Sequence, residues 1–361
     1  MNIVDGAMVR PDARMKAVDF FCGAGGMSYG LSQAGIDVLA GIDNSVDCQR
    51  TYVANIPGAR YIRKDISKLS APELARRLRI ERDDPNLIFC GCSPCQFWSK
   101  IRTDKSKSAK TAFLLKQFQK FIRFFRPGFV VVENVPGLVR NKDHTILADF
   151  IAFLEGMGYD CTDGVINALH HGVPQNRMRY LLIASRVTKV APLPKLEGTE
   201  RLTVANFIGQ ENGFVPIGAG NRDASDFNHT TMSLSDRNLQ RIVMTPASGG
   251  NRFAWADKPE LQIDAYRDNH QIFRDVYGRM SWDKPSPTIT TKFLSLSNGR
   301  FGHPEEHRAI SAREGATLQT FPKDFVFKAP SLVALGRQIG NAVPPELAKR
   351  IGQHLVDLRD G

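Results

Sequence analysis

The chain has 361 residues, 42% hydrophobic and 24% charged, which excludes disorder, collagen and coiled coil as overall classes and leaves room for two domains with real cores. Lys plus Arg number 48 against 37 Asp plus Glu, and the resulting +11 suits a polyanionic partner, nucleic acid first, without requiring one. No apolar stretch approaches the roughly 20 residues that span a bilayer, and residues 1–14 hold no apolar signal core, so neither membrane nor secretion is expected. Six cysteines (Cys22, Cys48, Cys90, Cys92, Cys95 and Cys161) are too few for a disulfide framework in so long a chain and point to a reducing cytoplasm.

Residues 16–190 alternate between strand and helix patterns. A short apolar run at 16–21 ends in a glycine cluster, followed by a helix at 27–34. A strand at 36–41, a helix at 45–55, a strand at 60–63 and a basic helix at 72–79 come next, then a strand at 87–90. Leu114, Phe118, Phe121 and Phe125 recur at i, i+4, i+7 and i+11, one apolar helical stripe. Residues 129–132 are a Val/Phe strand of the buried type, 146–154 a helix stopping at Gly156, and 180–184 a last strand. This alternation predicts an α/β fold, a doubly wound and mainly parallel sheet covered on both faces.

The texture changes after about Thr188. Residues 191–198 form a Pro-containing connector. From there to about Gly302 the chain is rich in Gly, Asn, Ser and Thr, which predicts a smaller, irregular domain with some β-structure. Residues 332–358 read as helical, with Pro344-Pro345 a start signal.

Four places carry chemistry. Asp19-Phe20-Phe21-Cys22-Gly23-Ala24-Gly25-Gly26 runs from a strand through a glycine turn into a helix, where backbone can approach a ligand closely. Asp43 stands at the end of the second strand, where doubly wound folds hold ribose hydroxyls, and Asp65 follows the third, within reach of an adenine amino group. A plain tight turn is the simpler account of the glycines alone. Gly91-Cys92-Ser93-Pro94-Cys95-Gln96 follows the fourth strand, where a thiolate can act as nucleophile or a thiol can simply be buried. Cys90, Cys92 and Cys95 have ligand-like spacing but no second pair, so no metal is expected. Glu133-Asn134-Val135 puts a carboxyl at the end of a core strand, costly unless it works or is paired. Arg177 and Arg179, two apart, would share one strand face and could clamp an anion or a base edge, or form structural ion pairs.

Together these residues resemble the DNA (cytosine-5)-methyltransferases of the bacterial restriction–modification type. Asp19 to Gly26 is similar to the family's first motif, Pro94-Cys95-Gln96 to its catalytic Pro-Cys motif, Glu133-Asn134-Val135 to Glu-Asn-Val, and Gln175-x-Arg177-x-Arg179 to Gln-x-Arg-x-Arg. Asp43 takes the ribose-binding position, where many members carry Glu, and Asp65 the adenine-contacting one. Lys284-Pro285-Ser286-Pro287-Thr288-Ile289, Arg313-Glu314 and Leu318-Gln319-Thr320-Phe321-Pro322 resemble the ninth motif, and Gln338-Ile339-Gly340-Asn341-Ala342-Val343-Pro344-Pro345 the tenth. The matches fall in the family's order, leaving only about 1–14 and 191–282 outside.

The resemblance implies the S-adenosylmethionine-dependent methyltransferase fold, with a catalytic domain over 15–190 plus 331–361 and a smaller target-recognition domain, hinge included, over 191–330. It implies S-adenosylmethionine as cofactor, lined by Phe21, Asp43, Asp65, Ile66, Pro94, Leu114, Asn341 and Ala342, with Asp19 and the turn of Gly23, Gly25 and Gly26 beside its methionine end. Cys95 would attack C6 of a flipped-out cytosine, Glu133 would hold the N3 and amino edge, Arg179 the O2 oxygen, and Arg177 would support the site or a phosphate. Ser99, Lys100, Arg102, Lys105 and Lys107 would close over the phosphate backbone of double-stranded DNA, while Arg237, Arg241 and Arg252 are of types that read base edges. A cytoplasmic, nucleoid-associated monomer with a cognate restriction endonuclease is the family habit. An RNA (tRNA) cytosine-5 methyltransferase shares most of these motifs and stays open, as does a non-catalytic DNA-binding protein; a nicotinamide dehydrogenase would explain the glycine turn alone.

Overall fold

The computed structural model describes residues 14–92, 105–139, 146–199, 202–264 and 274–361, with backbone alone for 3–4, 7–8, 105–112 and 138–139. The chain divides into two compact units, one of Met1–Asn167, Met178–Lys195 and Val343–Gly361, the other of Ala168–Arg177 and Leu196–Ala342.

The first unit is built on one seven-stranded sheet. In chain order its elements are β1 (Lys16–Phe20), α1 (Gly26–Gln33), β2 (Asp37–Asp43), α2 (Val46–Asn55), β3 (Arg60–Arg63), α3 (Ala71–Leu78), β4 (Leu87–Gly91), α4 (Lys105–Phe125), β5 (Phe129–Asn134), α5 (Ile146–Gly156), β6 (Asp160–Asn167) and β7 (Met178–Ser185). The strands lie in the order β3-β2-β1-β4-β5-β7-β6. β1 to β5 run parallel, and β7 is antiparallel to both neighbours, β5 and β6. The doubly wound, mainly parallel expectation holds. β4 and β5 are buried along their whole length, as central strands covered on both faces must be.

The apolar stripe of α4 supplies much of this core. Phe118, Phe121 and Phe125 are buried, and Leu114 packs partly buried against the same cluster. Phe20 of β1 meets the rings of Phe89, Phe118 and Phe121 at 5.0, 5.0 and 5.1 Å, edge or tilted rather than face to face. Strand β6 was not legible in the sequence. Its Asp160-Cys161-Thr162-Asp163-Gly164 start is polar because it is the edge strand, where apolar alternation is not required and polar groups discourage further pairing. The helical C-terminus is two helices, α8 (Leu332–Asn341) and α9 (Pro345–Asp360), with Pro at the first turn of α9. α9 returns to the first unit and crosses α1 at backbone contact: a Cβ on Gly30 would stand 2.3 Å from the Pro345 carbonyl oxygen, so only glycine fits.

The second unit is nearly strandless. Among the described residues its one ladder pairs Gln175–Asn176 in parallel with Ser286–Pro287, two residues each, beside isolated bridges at Arg279, Gly302 and Ala309. The β-structure expected for this region is therefore minimal. Its helices are α6 (Asp236–Met244) and α7 (Ala312–Leu318), besides α8 and a single turn at Ala205–Ile208. Without ladders, its buried carbonyls need other donors. Buried arginines supply them. Arg279 donates to the carbonyls of Thr245, His303, Glu306 and Ile242, and Arg313 to those of Phe227, Pro322, Asp226 and Phe325. Arg308 forms two short bonds to the carboxylate of Glu314, which also closes the capping box of α7 with Ser311. A guanidinium offers five donors in a fixed fork, so one residue can satisfy several carbonyls that a sheet would otherwise pair.

Candidate active site

Parallel strands put their C-terminal ends on one edge, and the candidate residues of the first unit collect there. Phe20 is in register with Ile42 on one side and Gly91 on the other, and Cys90 with Val131. The ends of β1, β2, β4 and β5 thus bring the glycine turn, Asp43, Cys92 and Glu133 to the same rim, the usual ligand-binding rim of an open α/β sheet.

The turn after β1 needs its unusual backbone. Phe21 has φ 64°, Gly23 φ 51° and Gly25 φ 97°, three left-handed residues in five, while a Cβ on Gly23 would meet nothing within 4 Å. That is open space against backbone, the property a ligand-approaching turn requires. Gly23 N–H donates to Asp43 Oδ2 at 2.9 Å and Ser45 N–H to Oδ1 at 2.8 Å. Both carboxylate oxygens are held in place, and each keeps a lone pair for a further donor. Asp65 caps the 3₁₀ turn Ile66–Lys68 by accepting from Ser67 N–H, and Ile66 beside it is buried.

Behind the turn, Asp19 joins two residues that the sequence did not announce, Ser28 and Tyr52. Asp19 is fully buried, and its Oδ2 accepts from Ser28 Oγ at 2.7 Å. Ser28 Oγ lies 2.9 Å from the Tyr52 hydroxyl, so with its own proton given to Asp19 the serine accepts from the tyrosine. Asp19 Oδ1 has no hydrogen-bond partner among the described residues. Burial pushes the Asp19 carboxyl up to about 7, with Ser28 opposing and the charge of Asp43 adding to the rise. Tyr52 also fixes Gly41: a Cβ there would stand 2.5 Å from the tyrosine ring and 2.6 Å from Cys22 Sγ. No local pattern could reveal this, because Asp19, Ser28 and Tyr52 belong to three different elements.

At the end of β5, Glu133 and Arg179 form an ion pair, Oε1 to Nε 2.9 Å, with both side chains about nine-tenths buried. The Nε–H is not aligned for a full hydrogen bond, so the contact is chiefly coulombic. Arg179 also donates to the Met178 carbonyl at 2.7 Å. Cys92, just past β4, carries a thiol pushed well above its ordinary value by burial, and further by the negative charges of Glu133 and Asp19. It is a poor thiolate and so a poor nucleophile.

Arg177 does not share a strand face with Arg179, as spacing two apart suggests. The strand is interrupted there: Gln175–Asn176 pairs with Ser286–Pro287 in the second unit, and β7 begins only at Met178. Arg177 is buried, donating to the carbonyls of Ile289, Gly340 and Ala342 at 3.0–3.3 Å. It ties the ninth-motif and tenth-motif segments together rather than clamping an anion. Asn341 and Ala342 end α8 within that same unit.

Two of the three arginines named as base readers are also committed elsewhere. Arg241 is buried, donating to the carbonyls of Leu261 and Gln262 and to Asn238 Oδ1, with its guanidinium over Trp255 and Tyr277. Arg252 is 4% exposed and lies over the Phe253 ring. Only Arg237 faces solvent. Pro94, Cys95, Ser99, Lys100 and Arg102 lie outside the described residues, and Lys105 and Lys107 begin α4, described there by backbone alone.

Residues 15–357 match the family described as C-5 cytosine-specific DNA methylase. The type II methylase M.HgiDII of Herpetosiphon aurantiacus is 36% identical over 350 residues, which are 95% of this chain and 96% of that protein. The type II methyltransferase M1.HphI of Haemophilus parahaemolyticus is 31% identical over 344 residues, 94% of this chain and 86% of that protein. A crystal structure of a DNA modification methyltransferase encoded within an E. coli prophage matches with a TM-score of 0.69 at 22% identity, covering 95% of this chain and 99% of that one. At that identity the likeness speaks for the fold.

Proposed function

The chain belongs to the C-5 cytosine-specific DNA methylases, and from that premise we propose that it transfers a methyl group from S-adenosylmethionine to C5 of a cytosine flipped out of duplex DNA, as the modification enzyme of a type II restriction–modification system. The observation that carries the reading is the buried Glu133–Arg179 pair on the ligand rim, one strand away from the end of the strand that leads into Pro94-Cys95-Gln96.

The residues at the rim fit the cofactor. Asp43, already oriented by Gly23 and Ser45, has lone pairs left for ribose hydroxyls, and the open space over Gly23 suits close approach of the methionine end. Asp65 and Ile66 follow β3, where an adenine would lie. When bound, S-adenosylmethionine supplies an electrophilic methyl group.

The chain's own residues make cytosine reactive. The C5 position is a weak nucleophile. The Cys95 thiolate adds to C6 and pushes electron density to C5. Glu133 holds the N3 and amino edge, favouring a proton at N3, and Arg179 bears on the O2 oxygen, so that charge developing on the ring meets fixed opposite partners. In the free protein these two groups neutralise each other, which keeps a buried carboxylate and guanidinium in place until a base takes up both. Release of the C5 proton and departure of Cys95 complete the turnover. Arg177 supports this arrangement through the backbone it ties together. The region 191–330 acts as the target-recognition domain, with 15–190 and 331–361 as the catalytic domain.

The test is transfer of labelled methyl groups to plasmid DNA and to tRNA, paired with bisulfite sequencing of the plasmid. Label in plasmid at one recurring cytosine supports the reading; label in tRNA alone replaces it. Trapping on 5-fluorocytosine DNA by the wild-type chain, absent with Cys95→Ser, tests the covalent step.

A further inference from the structure

Asp43 is held at three points. Its carbonyl accepts from Lys64 N–H at 3.0 Å, and its two carboxylate oxygens accept from Gly23 N–H and Ser45 N–H. The last of these donors sits in the short irregular connection between β2 and α2. Asn44 there is exposed, and Ser45 stands at the N-cap of α2 without a side-chain cap hydrogen bond. Ser45 is instead held from the neighbouring strand: the Tyr61 hydroxyl of β3 donates to its carbonyl at 2.7 Å. Tyr61 is in register with Gly41, two residues before Asp43. Its ring packs on Tyr52 with centroids 5.3 Å apart, and Tyr52 in turn fills the room that Gly41 leaves by having no side chain. Burial holds the Tyr61 phenol well above its ordinary value, and the negative charges of Cys22 and Asp43 add to the rise, so the hydroxyl stays a donor.

Resting on the function proposed above, we infer that Tyr61 is a positioning residue for the cofactor's ribose: through the Ser45 carbonyl it fixes the Ser45 N–H, and with it the orientation in which Asp43 meets the ribose hydroxyls. The two bonds grip one residue on opposite sides of its Cα, the carbonyl by Tyr61 and the N–H by Asp43, so neither φ nor ψ of Ser45 can swing freely. Without that grip the connection could turn its N–H away, and Asp43 Oδ1 would lose the donor that sets its direction. A carboxylate oriented before the ligand arrives gives up little side-chain freedom on binding, and this favours affinity without any contact from Tyr61 itself. Tyrosine suits the task because its hydroxyl stands at the end of a rigid ring, and that ring is braced by Tyr52. Phenylalanine at the same place would keep the ring packing and lose only the bond.

The experiment uses the full chain, its Tyr61→Phe and Asp43→Ala variants and the double variant. Calorimetry measures the affinity of each for S-adenosylhomocysteine and for the analogue lacking both ribose hydroxyls. Tyr61→Phe is expected to bind S-adenosylhomocysteine about threefold to tenfold more weakly, the worth of one hydrogen bond, at an unchanged melting temperature. It should bind the analogue as the wild type does, and should weaken Asp43→Ala no further. Ser45→Pro checks the link from its other end and stands in if Tyr61→Phe folds poorly: proline fits the φ of −75° at Ser45 and removes the N–H that Asp43 accepts from, and the same pattern is expected. Equal weakening toward both ligands, or losses that add in the double variant, would make Tyr61 a general packing residue and overturn the inference. Unchanged affinity in both Tyr61→Phe and Ser45→Pro overturns it as well. A wild-type chain that binds no S-adenosylhomocysteine overturns the proposed cofactor and this inference with it, whereas a binding wild type with unmoved variants overturns this inference alone.

Discussion

Glu133 and Arg179 meet diagonally across the β5/β7 ladder: Glu133 is in register with Leu181, and Arg179, two residues earlier on β7, reaches back to it at 2.9 Å. Residues at i and j±2 on antiparallel strands are within reach of long side chains, so the antiparallel setting of β7 is what makes the pair. Arg179→Ala leaves the carboxylate buried without its partner and should cost about 3–5 kcal/mol in urea unfolding. Adding Glu133→Gln should recover most of that stability and none of the methylation. If the double variant methylates DNA, the pair is structural and the catalytic assignment is lost.

Cys92 should be dispensable. Its thiol is held neutral by burial and by the charges of Glu133 and Asp19, so it cannot compete as a nucleophile. Cys92→Ser is expected to keep methylation within several-fold of wild type and to trap 5-fluorocytosine DNA normally. A dead Cys92→Ser with a functioning Cys95→Ser would transfer the nucleophile to Cys92.

Asp19 imposes a pH dependence on stability. Its carboxyl titrates near 3.8 when unfolded and at about 7 when folded, because burial disfavours the charged form. The folded state therefore binds this proton more tightly than the unfolded state does. Stability from this group is greatest below about pH 4, declines as pH rises toward 7, and is then flat; three units amount to something on the order of 4 kcal/mol. Asp19→Asn keeps an acceptor for Ser28 and removes the titration. Urea midpoints of the variant and the wild type should diverge in the variant's favour between pH 5 and 8, and parallel curves across that range would contradict the assignment.

Arg241 belongs to the core of the second unit. Arg241→Ala removes bonds to the carbonyls of Leu261 and Gln262 and the stacking over Trp255 and Tyr277, and should lower stability by about 2–4 kcal/mol. Thermal unfolding of Arg241→Ala beside the exposed Arg237→Ala checks this. Equal melting temperatures for the two would place Arg241 at the surface.

The sequence by itself determined the sheet and most of the rim. Apolar runs, the glycine turn, Asp43, Glu133 and the α4 stripe are local signals, because a strand buried on both faces and a helix packed by one face must show their burial in their own residues. Edge strand β6, with one side unpaired, carried no such mark. Only the tertiary structure decided which polar residues were free to act. Arg177, Arg237, Arg241 and Arg252 are alike in sequence, yet three are buried and one faces solvent. In a unit nearly without strands, arginines take over the pairing of backbone carbonyls, and whether a given guanidinium finds a carbonyl or water depends on chain segments far from it in sequence. The Tyr52–Ser28–Asp19 relay was hidden for the same reason: each residue is ordinary in its own helix or strand, and the unusual carboxyl arises only where the three are buried together.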